Sequence, residues 1–500
     1  MFLTTWREHW SLEKDPFACE DADKDLVLSE MTRTAVHSAF DRVYGDPRSP
    51  APGIVFGEKG SGKSGMRIAM RERLEEFSSQ ADGKRILCSE YVDFDVYLER
   101  FRCAVGVGED PKVVGQAVSK HWTLADHLDA LLSLGVTRMV DDLLGSKESQ
   151  HGLSKRHKID LLLLTALYYD SRERTVGEAW EKLTQRLHLR ASGRFGATAF
   201  RWMMTALSAF FLVGPFLGRL QGVDVGPGAL WAGAGFASLA FAWVPHLFAN
   251  RKLERMARSV SIRLLGRDSA LLAGFLGRLS EGERNRFVLP TGTDERQRYD
   301  LLERFSSLRK PLGYGSWYVL VDRLDEPSAL SAHPEGSRRF VETLLDHKLL
   351  QLPGLALKLF LPIELDRIHR SATPEQLKRM RLDKSNLVET LDWTGQELVE
   401  IASYRIRVCS SDEEEAGLGL WDFFAEDLDH DYVRETLTRL STPRYMLGFL
   451  AHAFREYARN LPSDLDADDS RWRMPRAHFD MIREKWLDRT EVLRRTLNAA

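Results

Sequence analysis

The sequence predicts an α/β fold, short apolar strands alternating with helices around a large helical insertion. Three observations predict it. Residues 57–64, Gly57-Glu58-Lys59-Gly60-Ser61-Gly62-Lys63-Ser64, fit G-x-x-x-x-G-K-[ST] at every position. The apolar run Ile54-Val55-Phe56 stands before them and a stretch without Pro or Gly, 66–77, follows, so the order is strand, glycine loop, helix. Further apolar runs at 85–92, 317–321, 355–361 and 386–391 supply the remaining strands, with helical periodicity between them.

The glycine loop carries specific chemistry. Glycines let the backbone curl so that successive N–H groups face a phosphate, and the helix that follows adds its positive N-terminal end. Lys63 is then the residue that reaches the β- and γ-phosphates, and the Ser64 hydroxyl a ligand for Mg²⁺. ATP and Mg²⁺ are the expected cofactors.

Composition bounds the rest. At 500 residues the chain has the length of about three domains. With 70 basic and 73 acidic residues its net charge is −3, which argues against a nucleic-acid binder relying on a whole-protein positive field. Cys19, Cys88, Cys103 and Cys409 form no C-x-x-C pair and indicate neither a zinc site nor a disulfide framework. The first twelve residues include Arg7, Glu8 and His9, unlike a signal peptide.

In chain order, 1–50 reads as a segment packing on the nucleotide core, with Asp15-Pro16-Phe17 a turn that pins an aromatic ring. The first part of the core is 51–110, and 111–198 is a helical insertion. Within it, 161–164 is a leucine run that fits a helix or a strand. The second part of the insertion is 251–314, the second part of the core 315–395, and a C-terminal helical lid 396–500. Thr394-Gly395-Gln396-Glu397 is a capping box, and helices are expected to start at Ser441-Thr442-Pro443-Arg444 and at Met474-Pro475-Arg476.

Between the insertion's halves, 199–250 reads as a transmembrane hairpin. Residues 202–218 and 225–249 are uncharged runs of 17 and 25 residues, joined by the polar link 219–224. A bilayer core of about 30 Å needs roughly 20 apolar residues of helix. Arg186, Arg190, Arg194 and Arg201 precede the runs and Arg251, Lys252, Arg255 and Arg258 follow them, which predicts both ends in the cytoplasm and an inner-membrane location.

Asp322 ends the apolar run Trp317-Tyr318-Val319-Leu320-Val321, where a carboxylate holds Mg²⁺ through its water shell. Glu326 is the first choice for the general base and Asp325 the second. Arg323 stands beside them as a candidate finger across a subunit interface, while an exposed Arg beside a carboxylate cluster is an equally ordinary reading.

A phosphate loop, a strand ending in Asp322-Arg323-Leu324-Asp325-Glu326 and a hairpin spliced between the two together resemble the KAP branch of the STAND P-loop NTPases, while the acidic pentad is itself similar to the NACHT branch. Both are related to AAA ATPases. The resemblance implies a P-loop NTPase with a five-stranded parallel sheet in the order 5-1-4-3-2, a helical lid, and regulated homo-oligomerisation in signalling or defence. It also implies a sensor role for Arg444 near the γ-phosphate, and leaves the strand-four sensor unassigned at Pro362-Ile363-Glu364.

Two functions follow as expectations. The first is a membrane-anchored ATPase that uses nucleotide binding and hydrolysis as a conformational switch. The second is a soluble AAA-like ATPase of the origin-recognition or transposition type, acting on nucleic acid with the apolar hairpin buried at a subunit interface. Its basic C-terminal stretch, Arg471 to Arg495, is interleaved with Asp480, Glu484, Asp488 and Glu491, which makes a solvated face the better reading and nucleic acid an unfavoured partner.

Overall fold

The computed structural model describes residues 2–499 except 19–21, 26, 29–36, 81–83, 147–152, 189–193, 221–227, 367–372, 380–385, 411–416 and 463–464. Cys19, Arg190 and most of the polar link at 219–224 lie outside the described residues. The chain divides into two compact units, Met1–Asp95 with Asp110–Lys120 and Tyr314–Ala500, and Val96–Glu109 with His121–Gly313.

The first unit is built on five strands, β1 (Gly53–Gly57), β2 (Arg85–Tyr91), β3 (Tyr314–Val321), β4 (Leu355–Pro362) and β5 (Leu387–Val388). Every pairing is parallel and the order is β2-β3-β4-β1-β5, the order that the family resemblance implied. Val55 stands opposite Phe360 and Val388, and Val319 opposite Ser89 and Leu357. Helices cover both faces of a parallel sheet, so its central strands are buried and mostly apolar, Lys358 of β4 being a charged exception, and all five residues of β1 are buried. One face packs Val55, Leu320, Ala356 and Phe360 against Met66, Met70 and Leu74 of the helix Lys63–Gln80, with Phe40 and Val43 beside them.

A second core in this unit gathers the C-terminal helices. Leu398 and Ile406 of Gly395–Cys409, Leu437 of His430–Leu440, and Phe449 and Phe454 of Pro443–Arg459 form it. Trp6, Leu12 and Phe17 bury in this cluster, and Phe17 stacks on Phe454 with ring centroids 5.7 Å apart. The expected aromatic pin therefore seats in the lid, while Phe40 seats on the sheet. The capping box at Thr394 and Glu397 forms in full, which fixes where the lid begins.

The second unit is helical. The leucine run at 161–164 lies inside the helix Lys155–Tyr168, settling that ambiguity. Its centre holds a buried ion pair, Arg298 Nε donating to Asp129 at 2.9 Å, with the Tyr168 hydroxyl donating to the same carboxylate at 2.9 Å.

The membrane hairpin is corrected. Residues 199–250 do form two helices, within Arg194–Leu220 and Gly228–Arg258. Among the described residues, however, no helix is long and apolar enough to cross a membrane. The anchor, the inner-membrane location and the orientation drawn from the basic flanks fall with it. The physical reason is that lack of charge is not apolarity: 11 of the 25 residues in 225–249 are Gly or Ala, which contribute little transfer energy.

Candidate functional site

β1 and β3 flank β4, so their carboxyl ends stand about 10 Å apart on one edge of the sheet, given the usual strand spacing. That edge is where open parallel sheets take ligands. Gly57 and Asp322 leave the sheet there, and the segments that follow them face a cavity of about 730 Å³. Lys59, Gly60, Gly62, Lys63 and Ser64 line it, together with Asp322, Arg323, Asp325, Glu326 and Arg444. Every residue expected from the sequence at the metal or the reaction thus borders one hollow. Gly57, Glu58 and Ser61 complete the loop behind the lining.

The loop's shape requires its glycines. Gly60 and Gly62 have φ of +88° and +94°, a region that residues with a Cβ avoid. Lys63 turns its ammonium back onto the loop, donating to Gly57 O at 2.8 Å and Glu58 O at 2.9 Å. Burial pushes its pKa down from the ordinary lysine value, and the nearby charges of Asp325, Asp322 and Glu364 pull it back up. Ser61 Oγ is buried without a hydrogen-bond partner among the described residues. A buried hydroxyl with no partner fits a loop shaped for a polar ligand.

Asp322 is 1% exposed. Its Oδ2 accepts from Arg67 Nε at 3.1 Å, and Arg67 also pairs with Asp23 at 2.5 Å and with Glu90. Arg67 is itself 1% exposed, so one buried guanidinium fixes three carboxylates. The next residue, Arg323, has φ of +65°, an observed strain for a side chain with a Cβ. It pairs with Asp23 and, at 3.4 Å, with Glu326. Glu326 is exposed and bound up with this arginine, whereas Asp325 is half-buried and is the carboxylate that acts most strongly on Lys63.

The lid touches the loop directly. Trp393 Nε1 donates to Ser61 O at 2.7 Å, and Arg444 N donates to Gly60 O at 3.3 Å. Thr442 caps the helix Pro443–Arg459 and sets its first turn against the loop. Arg444, Leu447, Gly448, Ala451, His452 and Arg455 follow at helical spacing and line the cavity, a single face of that helix.

Sequence reasoning missed Arg67, Asp23 and Trp393. Only Arg67 carried a signal, being a charge on the buried face of an otherwise apolar pattern in the helix after the loop. Among the described residues no group of three or more His, Cys, Asp or Glu could hold a metal. The set present, Ser64 and Asp322, suits an ion that keeps its waters and takes its remaining ligands from phosphate.

Comparison of the chain with protein-family models, with curated proteins and with solved structures finds no match.

Proposed function

We propose that this protein is a Mg²⁺-dependent nucleoside triphosphatase acting on ATP. The observation that carries the reading is that Lys63 and Asp322, 259 positions apart in sequence, border one hollow floored by two left-handed glycines. The loop N–H groups and Lys63 bind the β- and γ-phosphates, Lys63 leaving its own carbonyls to do so. Ser64 and Asp322 would hold Mg²⁺, which when bound would supply positive charge to the phosphate oxygens. Arg67 holds Asp322 in position through its ion pair. Asp325 orients the water that attacks the γ-phosphorus in line, so that the P–O bond to the β-phosphate breaks and ADP and phosphate leave. Arg444 stabilises charge on the γ-phosphate from the lid. The strand order β2-β3-β4-β1-β5 supports kinship with the STAND and AAA-like NTPases.

Calorimetric titration with Mg²⁺–ATP and a phosphate-release assay test this together. Lys63→Ala is expected to weaken binding on the order of 100-fold or more, removing a charge-assisted contact to two phosphates. Asp325→Asn is expected to keep binding and lower turnover at least about 100-fold. A Lys63→Ala protein that binds ATP as tightly as the parent would overturn the reading.

A further inference from the structure

We propose, resting on the nucleotide site assigned above, that Arg323 meets the γ-phosphate of its own chain's nucleotide and that Asp23 is the positioning residue that holds it there. Neither residue has a part in the hydrolysis described so far.

The geometry is a closed ring. Asp23 Oδ1 accepts from Arg67 Nη2 at 2.5 Å, and its Oδ2 pairs with Arg323. Arg67 Nε donates to Asp322 Oδ2 at 3.1 Å, and a peptide bond joins Asp322 to Arg323, so the ring returns to Asp23. Each oxygen of one carboxylate thus holds a different guanidinium. Hydrogen bonds between ionised groups are about twice as strong as neutral ones, and buried pairs such as Arg67–Asp322 are the least screened by salt. The carboxylate assigned to the metal and the arginine beside it therefore share one anchor.

The backbone of Arg323 records the constraint. Its φ of +65° is a conformation that a side chain with a Cβ keeps only where its surroundings over-determine it. Asp23, together with Glu326 at 3.4 Å, supplies that determination, and the side chain borders the same cavity as Lys63 and Arg444. Arg323 reaches the hollow from the end of β3, Arg444 from the lid. A guanidinium has five N–H donors, so one held by a carboxylate can still meet a phosphate oxygen. An arginine turned into its own chain's hollow is poorly placed to serve a neighbour's.

The segment that carries Asp23 is tied down on its other side. Two residues on, the buried Asp25 takes both terminal nitrogens of the buried Arg405, at 2.6 and 3.2 Å, from the helix Gly395–Cys409. A fork-to-fork pair of this kind fixes orientation as well as distance. Ala22, Asp25 and Arg405 border the cavity, whereas Asp23 acts on it through its two arginines.

Calorimetric titration of the full chain with Mg²⁺–ATP and with Mg²⁺–ADP is the test, read as the ratio of the two affinities. Arg323→Gly, which keeps the positive φ without strain, is expected to lose about 10-fold in ATP affinity and under about twofold in ADP affinity, one charge-assisted contact to the γ-phosphate being removed. Asp23→Asn, or Asp23→Ser should the first not fold, is expected to shift the ratio at least about threefold in the same direction, and adding it to Arg323→Gly to shift it by less than about twofold more. A merely structural Asp23 would weaken both nucleotides alike or add its effect in full in the double variant. Either result overturns the proposal, as does an unchanged ratio in Arg323→Gly. Turnover restored by mixing Arg323→Gly with Lys63→Ala would place Arg323 at a neighbouring chain's nucleotide and overturn it too. Parent protein that binds neither nucleotide would overturn instead the nucleotide site on which the proposal rests.

Discussion

Lys63 and Lys358 are both buried in the first unit, and burial acts on them differently because of what surrounds each. Around Lys63, Asp325, Asp322 and Glu364 offset the desolvation. Lys358 sits on the central strand β4 with no carboxylate among the described residues to offset it, donating to Val43 O at 2.5 Å over the Tyr318 ring, and burial pushes its pKa down to about 7. A lysine whose folded pKa lies below its unfolded value near 10.4 binds fewer protons when folded, so between those values stability rises with pH, and it is lost as pH falls toward 7. Lys358→Met removes this dependence. Thermal unfolding at pH 7 and pH 9.5 should show the parent gaining on the order of 1–3 kcal/mol relative to the variant at the higher pH. Equal pH dependence in the two proteins would mean Lys358 is not the titrating group. At this scale the sequence pointed to Lys63, Ser64 and Asp322, which the structure brings to one hollow, because a contiguous motif and a strand end mark them. It hid Arg67 and Trp393 because their partners lie 255 and 332 residues away, and no local pattern encodes such a pairing.

Among the elements, the lid helix Pro443–Arg459 and the loop at 57–64 act as one assembly. Thr442 starts the helix, its first turn donates to Gly60 O, and a Cβ on Gly60 would approach Arg444 Cβ to 2.7 Å. Gly60→Ala therefore meets two obstacles, a positive φ and the lid's first turn. Trp393→Phe is the milder probe, since it keeps the ring and deletes the indole N–H that holds Ser61 O. It should lower stability by about 1 kcal/mol and speed hydrogen exchange in 57–64 and 443–450, read by mass spectrometry. Unchanged exchange in both segments would show that loop and lid are not coupled through this bond. The elements were largely legible. Five strands, the capping box and the lid helices announce themselves through apolar runs and capping residues that act over a few positions. The hairpin misled for the opposite reason: charge is plain in a sequence, but the balance of Gly and Ala against bulkier side chains decides whether a helix belongs in lipid or on a protein surface.

For the molecule as a whole, the strand order sets a folding problem. β2, at one edge of the sheet, and β3 are hydrogen-bonded neighbours, yet Tyr91 ends one and Tyr314 begins the other, with the whole second unit between them in the chain. Each doubling of an unstructured loop adds about 0.6 kcal/mol to the entropy of closing it, so an intervening segment that is already compact makes β2–β3 pairing easier. The second unit has the means to fold early, being helical, with the Arg298–Asp129 pair joining positions 169 apart within it. Asp129→Ala leaves Arg298 buried without its counter-charge and should destabilise that unit by about 3–5 kcal/mol. The mutated position is in neither the sheet nor the cavity. If the second unit's early folding shortens the effective loop, recovery of Mg²⁺–ATP binding after dilution from urea should slow on the order of threefold or more in Asp129→Ala. Should binding return at the parental rate while helical signal from the second unit returns late, the sheet closes without help from the segment it encloses, and its topology alone sets the pace.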